Sequence, residues 1–386
     1  MNKRLLCFFA ILTLFPTLSQ AQDARGMAIG YAATAAPLGI FGIYWNPALE
    51  AIPGGVGAWT IASGFSAFDT SNINSPILRF NPANSIQSGS NPVLHYQDYS
   101  GLFGVQYGTL SFGAIYDQNL NTNASQDSLS LLNNPVSAGK TYSLGYLNTL
   151  QQIETFIVSY AMPLPLGAFQ FLSIGGSLKY HYGIYYNQTS LTGAYTQGST
   201  DTTTYQYTSI SSNSGLGLSM DLGLFAKVSD MLNVGFMMQN IQSSYNWQAQ
   251  QQNYTLDSNT GQTILSGAAS SVTVSQPFPY TTKLGIAIAP PDKNTYLEGE
   301  VSWVSQTTQV NAATHWRIGL ERYYPAGIVI RLGTFADDIS GQELWTLGIG
   351  YFRSNFCVDL SGITRSIPDL ENSISLGGAI DAAIRF

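Results

Sequence analysis

Leu376-Gly377-Gly378-Ala379-Ile380-Asp381-Ala382-Ala383-Ile384-Arg385-Phe386 alternates without a slip. In an extended chain successive side chains point to opposite faces, so Leu376, Gly378, Ile380, Ala382, Ile384 and Phe386 share one face. Gly377, Ala379, Asp381, Ala383 and Arg385 share the other. The first face is apolar and the second is small or charged. A strand with lipid outside and a polar lumen inside requires this pattern.

The same alternation runs backwards along the chain. Phe356, Val358 and Leu360 oppose Cys357 and Asp359, and Trp345, Leu347, Ile349 and Tyr351 oppose Thr346, Gly348 and Gly350. Ile328, Ile330 and Leu332 oppose Val329, Arg331 and Gly333. Trp316, Ile318 and Leu320 oppose His315, Arg317, Gly319 and Glu321, and Leu297, Gly299, Val301 and Trp303 oppose Glu298, Glu300 and Ser302. Segments 280–289, 231–243, 213–228, 169–184 and 152–162 follow suit, and 110–117, 100–107 and 56–66 complete fourteen strands. An even number is what a bacterial single-chain barrel has. The first, third and fifth connections span about 33, 34 and 28 residues, whereas the intervening ones are tight, as extracellular loops and periplasmic turns should be. The turns hold Gly108-Thr109, Pro163–Ala168, Ser229-Asp230, Pro290-Pro291-Asp292, Pro325-Ala326-Gly327 and Arg353-Ser354. Trp303, Trp316 and Trp345 fall near the loop ends of their strands, and Tyr107, Tyr160, Tyr324, Tyr351 and Phe386 near the turn ends. Two aromatic girdles of this kind mark the two membrane interfaces. The expected class is all-β: a 14-stranded antiparallel transmembrane β-barrel.

Composition agrees. Charged residues make up 10% of the chain, against roughly 25% in ordinary soluble domains, while Gly (38), Tyr (23) and Phe (19) are abundant. No stretch beyond the N-terminus approaches the 18 apolar residues that a spanning helix needs. At the N-terminus Lys3 and Arg4 precede an apolar run from Leu5 to Leu18, and Ser19-Gln20-Ala21 supplies a small-x-small cleavage site. Residues 1–21 therefore read as a signal peptide, with a mature chain from Gln22. Their removal takes two positive charges and no negative ones, so the formal charge moves from −7 to −9. That argues against nucleic acid as a partner. Cys357 is then the sole cysteine, so the chain forms no internal disulfide.

Residues 22–55 precede the barrel at 56–386. They include Ala24-Arg25-Gly26-Met27-Ala28-Ile29-Gly30-Tyr31, a run of small residues, and Ile43-Tyr44-Trp45-Asn46-Pro47-Ala48. The segment is uncharged between Arg25 and Glu50. An apolar piece of this size is expected to bury itself in the lumen as a plug. This start resembles the N-terminal hatch of the FadL superfamily of outer-membrane transport proteins, whose members carry Asn-Pro-Ala here. Asn233-Val234-Gly235, Lys283-Leu284-Gly285, Ile318-Gly319-Leu320-Glu321 and Arg331-Leu332-Gly333 are similar to its PorV/PorQ branch, which serves type IX secretion. The resemblance implies a 14-stranded barrel with a hatch, passing long-chain fatty-acid-like or other hydrophobic molecules. The PorV-like alternative is a component or partner of a secretion system. The chain departs from the family at Pro37–Ile43, where relatives have an acidic stretch, and at Leu49, where a Gly is usual. Substrate preference is therefore not carried over. The aromatic terminus resembles the signal read by the barrel assembly machinery, which assigns that role to Phe386.

Asn46, Pro47 and Ala48 are the candidate hatch and gating residues, and they also form a helix start, with Asn capping and Pro at the first position. Arg317, Glu321, Arg331, Asp359, Asp381 and Arg385 face inward. They could steer a carboxylate, but three basic and three acidic residues fit a mutual ion-pair network better, since isolated buried charges are costly. His95, His181 and His315 lie on separate segments without metal-ligand spacing, and no cofactor is expected. Ser302 and His315 are the nearest thing to a nucleophile and base, with no local signature, so no enzyme is expected. Segments 185–212 and 245–275 read as polar, aromatic loops over the mouth. The location implied is the bacterial outer membrane, with its lipid and a hydrophobic ligand as partners. Without an ATP site, transport would be passive.

Overall fold

A computed structural model describes residues 23–36, 41–52, 57–69, 94–125, 127–128, 139–196, 202–256, 262–291, 294–307, 312–336, 343–353, 355–365 and 374–385. The segment 1–21 read as a signal peptide and Phe386, read as the assembly signal, lie outside the described residues, as does the side chain of Arg385.

The strands are β1 (Gly57–Asp69), β2 (Leu94–Tyr107), β3 (Leu110–Ala124), β4 (Thr141–Pro163), β5 (Phe171–Thr196) and β6 (Thr202–Ser212). They continue with β7 (Gly215–Lys227), β8 (Leu232–Leu256), β9 (Thr263–Leu265), β10 (Ser270–Ser275), β11 (Thr281–Ile288) and β12 (Thr295–Val304). The last five are β13 (Ala313–Tyr323), β14 (Ile328–Ala336), β15 (Glu343–Arg353), β16 (Phe356–Arg365) and β17 (Ile374–Arg385). All pairings are antiparallel, and β1 pairs with both β2 and β17, so the sheet closes on itself. Closure removes the edges that an open sheet would leave unpaired.

Around the ring, β5 pairs β7, β7 pairs β8 and β8 pairs β11. The strands β6, β9 and β10 stand outside that circuit, added to the upper ends of β5 and β8. They correct the expectation of loops at 185–212 and 245–275, much of which is strand. β4, β5 and β8 run for 23, 26 and 25 residues, more than twice the 9–11 that cross a bilayer. Their upper halves rise beyond the membrane as a polar sheet. There the outer face meets water in place of lipid while inward groups such as Tyr186, Tyr245 and Trp247 stay buried, so the apolar/polar alternation that marks a barrel strand disappears from the sequence.

Within the bilayer zone the alternation holds. Leu347, Ile349 and Leu360 are more than half exposed on the outer face, while Arg331, Asp359 and Asp381 are buried on the inner one. A continuous apolar belt on a soluble protein would be an aggregation surface; in a membrane it is the lipid contact. The rings of Trp303, Trp316, Trp345, Tyr107, Tyr160, Tyr324 and Tyr351 all point outward. Among the described residues no helix is long and apolar enough to cross a membrane.

The N-terminal segment lies inside. Helix α1 (Ala24–Ala28) is capped by Asp23, whose side chain accepts the Gly26 N–H. A second short helix, α2 (Gly42–Trp45), leads to a 3-10 turn, Pro47–Ala51. Asn46 caps that turn by accepting the Ala48 N–H at 3.1 Å, with Pro47 at its first position. Ile29, Ile43, Tyr44 and Leu49 are almost wholly buried against the wall. An apolar segment placed in a polar lumen has thus found the inward Leu102, Ile115 and Ile157 to pack on, which is the hydrophobic reason it stays there.

Candidate functional site

The hatch is tied to the wall at several points. Asp381 Oδ2 accepts the N–H groups of Ala24 and Arg25 at 2.8 and 3.2 Å, satisfying two donors at the start of α1 that have no partner within the helix. Arg25 then forks onto Glu321, with Nε–Oε2 at 2.8 Å and Nη2–Oε1 at 2.7 Å. Glu321 also receives Arg331 Nε at 2.5 Å, and Arg331 reaches on to Asp359. Three of the inward charges singled out in the sequence, Glu321, Arg331 and Asp359, therefore form one chain of ion pairs, and Asp381 anchors the hatch beside it.

Further round the wall, Glu300 Oε2 accepts the Thr34 N–H at 3.1 Å and hydroxyl at 2.6 Å. Its other oxygen takes Arg317 at 3.0 Å, and Arg317 also donates to Ser302 at 2.6 Å. The register sets Ser302 opposite His315, but the Ser302 hydroxyl is engaged by arginine.

Asn46, Pro47 and Ala48 lie against β5 and β7. Asn46 Nδ2 donates to the Thr34 and Leu224 carbonyls at 2.9 and 3.2 Å. Ser173 donates to the Ala48 carbonyl at 2.8 Å. Glycine is required where this turn meets the wall: a Cβ at Gly175 would stand 2.5 Å from the Pro47 carbonyl carbon, and one at Gly223 would overlap the Asn46 side-chain oxygen. Tyr44 reaches the Phe103 carbonyl at 2.8 Å, and Gln106 donates to the Glu50 carbonyl at 2.9 Å.

Two hatch carboxyls are deeply buried. Burial raises Asp23 above its ordinary value, against the lowering hydrogen bonds from Trp45 and Gly26. Burial also pushes Glu50 up to about 7, with the Ser159 and Ser111 hydroxyls pulling the other way.

Above the hatch stand groups to which the sequence reading gave no role in a site, His181 among them. Lys179 pairs with Asp221 at 2.6 Å. His181 bridges Thr155 and Ser219 at 2.9 and 2.8 Å, and its ring lies 4.4 Å from that of Phe278. Next come Tyr186, Tyr245 and Trp247, all essentially inaccessible, with Tyr186 stacked on Trp247 at 5.2 Å. Trp247 donates to Gln276 at 2.9 Å. Among the described residues the Tyr245 hydroxyl has no hydrogen-bond partner. Lys283 Nζ lies 5.6 Å from the centre of the Trp45 ring and, among the described residues, forms no ion pair. The one available signal was inward aromatic spacing on β8, Tyr245 and Trp247, in a stretch read as loop.

The wall is irregular beside this cluster. Asn240 and Gln242 take left-handed backbone angles (φ 58° and 51°), and the β7–β8 register shifts between Leu218 and Leu222. On its other side β8 pairs β11 as far as Gln239 and β10 only from Asn246. Between them the ladder is interrupted and residues 276–279 are held by single hydrogen bonds, Gln276 N–H to the Tyr245 carbonyl at 2.8 Å, Phe278 N–H to Ser243 Oγ at 2.9 Å and Asn240 Nδ2 to the Pro279 carbonyl at 3.2 Å, with Phe278 packed on the cluster.

A closed antiparallel barrel whose lumen is stoppered by its own residues 23–52, with an aromatic cluster above the stopper, defines a plugged β-barrel fold. Solved structures of this shape agree. The Ralstonia pickettii toluene transporter TbuX superposes with a TM-score of 0.59 at 14% identity, covering 94% of this chain and 98% of that one. The P. putida toluene transporter TodX gives 0.58 at 12% identity, covering 94% and 98%. A Pseudomonas aeruginosa FadL homologue gives 0.57 at 11% identity, covering 96% and 98%. The chain therefore has the FadL-type barrel fold. No protein-family model and no curated protein sequence matches it.

Proposed function

We propose that this protein is a FadL-type passive channel for small hydrophobic molecules in the bacterial outer membrane. The observation that carries the reading is the buried cluster of Tyr186, Tyr245, Trp247, Phe278 and His181. It lies inside the lumen, above a charge-tethered hatch and beside a break in the wall. Apolar ligands bind in concave sites lined by aromatic groups with a few polar ones. A ligand enters among the long strands β4, β5 and β8, exchanges contacts with the aromatic cluster, and leaves through the wall gap or past a shifted hatch. Asn46, Pro47 and Ala48 act as the moving contact between hatch and wall. The inward charges Arg317, Glu321, Arg331, Asp359 and Asp381 hold the hatch in place.

Within that class, a long-chain fatty-acid-like cargo needs a cation for its carboxylate. Lys283 supplies one, because among the described residues its ammonium makes no ion pair, Glu300 and Asp221 acting on it only from a distance, and it faces Trp45 at the top of the hatch. Neutral hydrocarbons, such as the toluene named for the similar structures, would pass without it.

The test is uptake of labelled oleate and labelled toluene by liposomes carrying the purified protein and its Trp247→Ala and Lys283→Met variants. Slower uptake of both compounds in Trp247→Ala, with Lys283→Met impairing oleate alone, supports the reading. Uptake no faster than by empty liposomes, together with a stable co-purified protein, would leave the secretion-partner alternative in its place.

A further inference from the structure

The sheet that rises above the membrane carries no charge. Segments 185–196, 202–212, 244–256 and 262–275 hold no Asp, Glu, Lys, Arg or His, and are built of amides, hydroxyls and tyrosines among small and aliphatic residues. Asp201 and Asp257, the acids nearest in sequence, lie outside the described residues. Strand β8 sets the pattern. Tyr245, Trp247 and Ala249 are buried on the lumen side, so Asn246, Gln248 and Gln250 stand exposed on the outer face. Two residues of extended chain advance about 6.8 Å, which spaces these amides evenly.

Register places hydroxyls on both sides of them. Gln250 is opposite Ser271 on β10 and Ser211 on β6, Gln248 is opposite Thr273, and Gln252 is opposite Ser209. Gln250 Nε2 donates to Ser271 at 3.0 Å and Thr273 donates to Gln248 at 3.4 Å, which ties the amides to the neighbouring strand. At the upper end Tyr207 and Tyr254 face each other edge to face, with ring centres 5.3 Å apart. At the lower end Asn246 is opposite Leu216 on β7, which is 51% exposed. The array therefore begins where the lipid-facing belt ends.

Such a face offers hydrogen-bond donors and acceptors at fixed intervals. Among its described residues none can pair with a phosphate, a carboxylate or an ammonium, so a charged partner would lose hydration there without an ion pair in return. Tyrosine presents an apolar ring with a polar tip, which suits the C–H faces and hydroxyls of a sugar. A partner of repeating units meets a repeating array several times over, and singly weak contacts add through effective concentration. We propose that the outer face of β6, β8 and β10 binds an uncharged polysaccharide, the glycan chain of the glycolipid that surrounds the barrel. Continuity with the lipid belt selects that source, because a chain rooted in the same leaflet rises along this face.

The inference is independent of the transport reading, since its test needs only the folded protein in lipid. The protein in nanodiscs free of glycolipid is applied to an array of neutral polysaccharides released from lipopolysaccharides, with dextran sulfate as the polyanionic control. Saturable binding to a neutral chain is expected, unchanged up to about 0.5 M salt because no ion pair contributes, with dextran sulfate not retained. Gln248→Ala combined with Gln250→Ala should weaken binding about tenfold. Tyr254→Ala should weaken it about fivefold, and Lys227→Ala, at the opposite end of the barrel, should leave it unchanged. Heat-modifiable mobility checks that each variant is folded, and either the amide pair or the tyrosine decides the matter if the other fails. Absence of binding to every neutral chain overturns the inference, as does binding that survives both variants or is abolished by salt. Self-association lost in the same variants, without glycan binding, overturns it too and assigns the face to a second copy.

Discussion

Arg331 is the residue on which the lumen network turns. It binds Glu321 from one side and Asp359 from the other, and all three are buried. Truncation to Ala takes the arginine from Asp359 in a dry interior and leaves Glu321 with Arg25 alone, and breaking a buried pair from one side costs about 3–5 kcal/mol. Urea unfolding in lipid, followed by the heat-modifiable mobility of the folded barrel, should register that loss for Arg331→Ala. Replacing Glu321 and Arg25 together by apolar residues should cost less, because no partner is left behind for that pair. Glu50 makes a different prediction. Its carboxyl holds a proton more tightly in the docked hatch (about 7) than in a solvated one (4.5). Docking is therefore strongest below pH 4.5, weakens as the pH climbs to 7, and is level above. The change amounts to about 3 kcal/mol at 1.36 kcal/mol per unit. Proteolysis of the hatch at pH 5 and pH 8 reads it directly, and Glu50→Gln should flatten the difference.

At the scale of elements, the hatch is a short irregular chain made rigid by the wall it touches. Its helices are too short to persist alone. The close approach at Gly223 is the tightest constraint, and Gly223→Leu should push Asn46–Ala48 off β7. Overpacking of this kind costs about 1–3 kcal/mol, and planar-bilayer recordings should show a leaky channel where the native one is closed. Strand β8 carries the opposite feature. Gln242 is held in the left-handed region by the wall irregularity, at a cost of order 1 kcal/mol. Gln242→Gly should recover much of that in unfolding midpoint, while an alanine there should not.

For the whole molecule, barrel and plug have separate sources of stability. The barrel is closed by its β1–β17 pairing and wrapped in lipid. The plug depends on tethers to the wall: Asp381, Glu321, Glu300, Thr346 and Ser173. Removal of residues 23–52 should leave a folded barrel with a conductance at least tenfold higher. An unchanged conductance would mean that something other than the hatch seals the lumen.

The sequence by itself determined the membrane part of this protein. In the bilayer zone each strand residue meets either lipid or lumen, so chemistry alternates with period two, and Ile380 and Asp381 can be assigned to opposite faces on sight. The apolar segment before the barrel was legible for a similar reason, since it had no solvent to face. What the tertiary structure alone decided is everything that depends on register and long-range contact. Arg25 meets Glu321 across 296 positions, and nothing local marks the pair. The upper reaches of β5 and β8 lost their signature where water replaced lipid, which hid Tyr245 and Trp247 in apparent loop. Glu50 is, in the sequence, only the charge that ends an uncharged stretch; the packing of its turn on β4, β5 and β7 is what buries it. The alternation of the last strand fixed which face looks inward; the pairing of that strand with β1 fixed what the inward face surrounds.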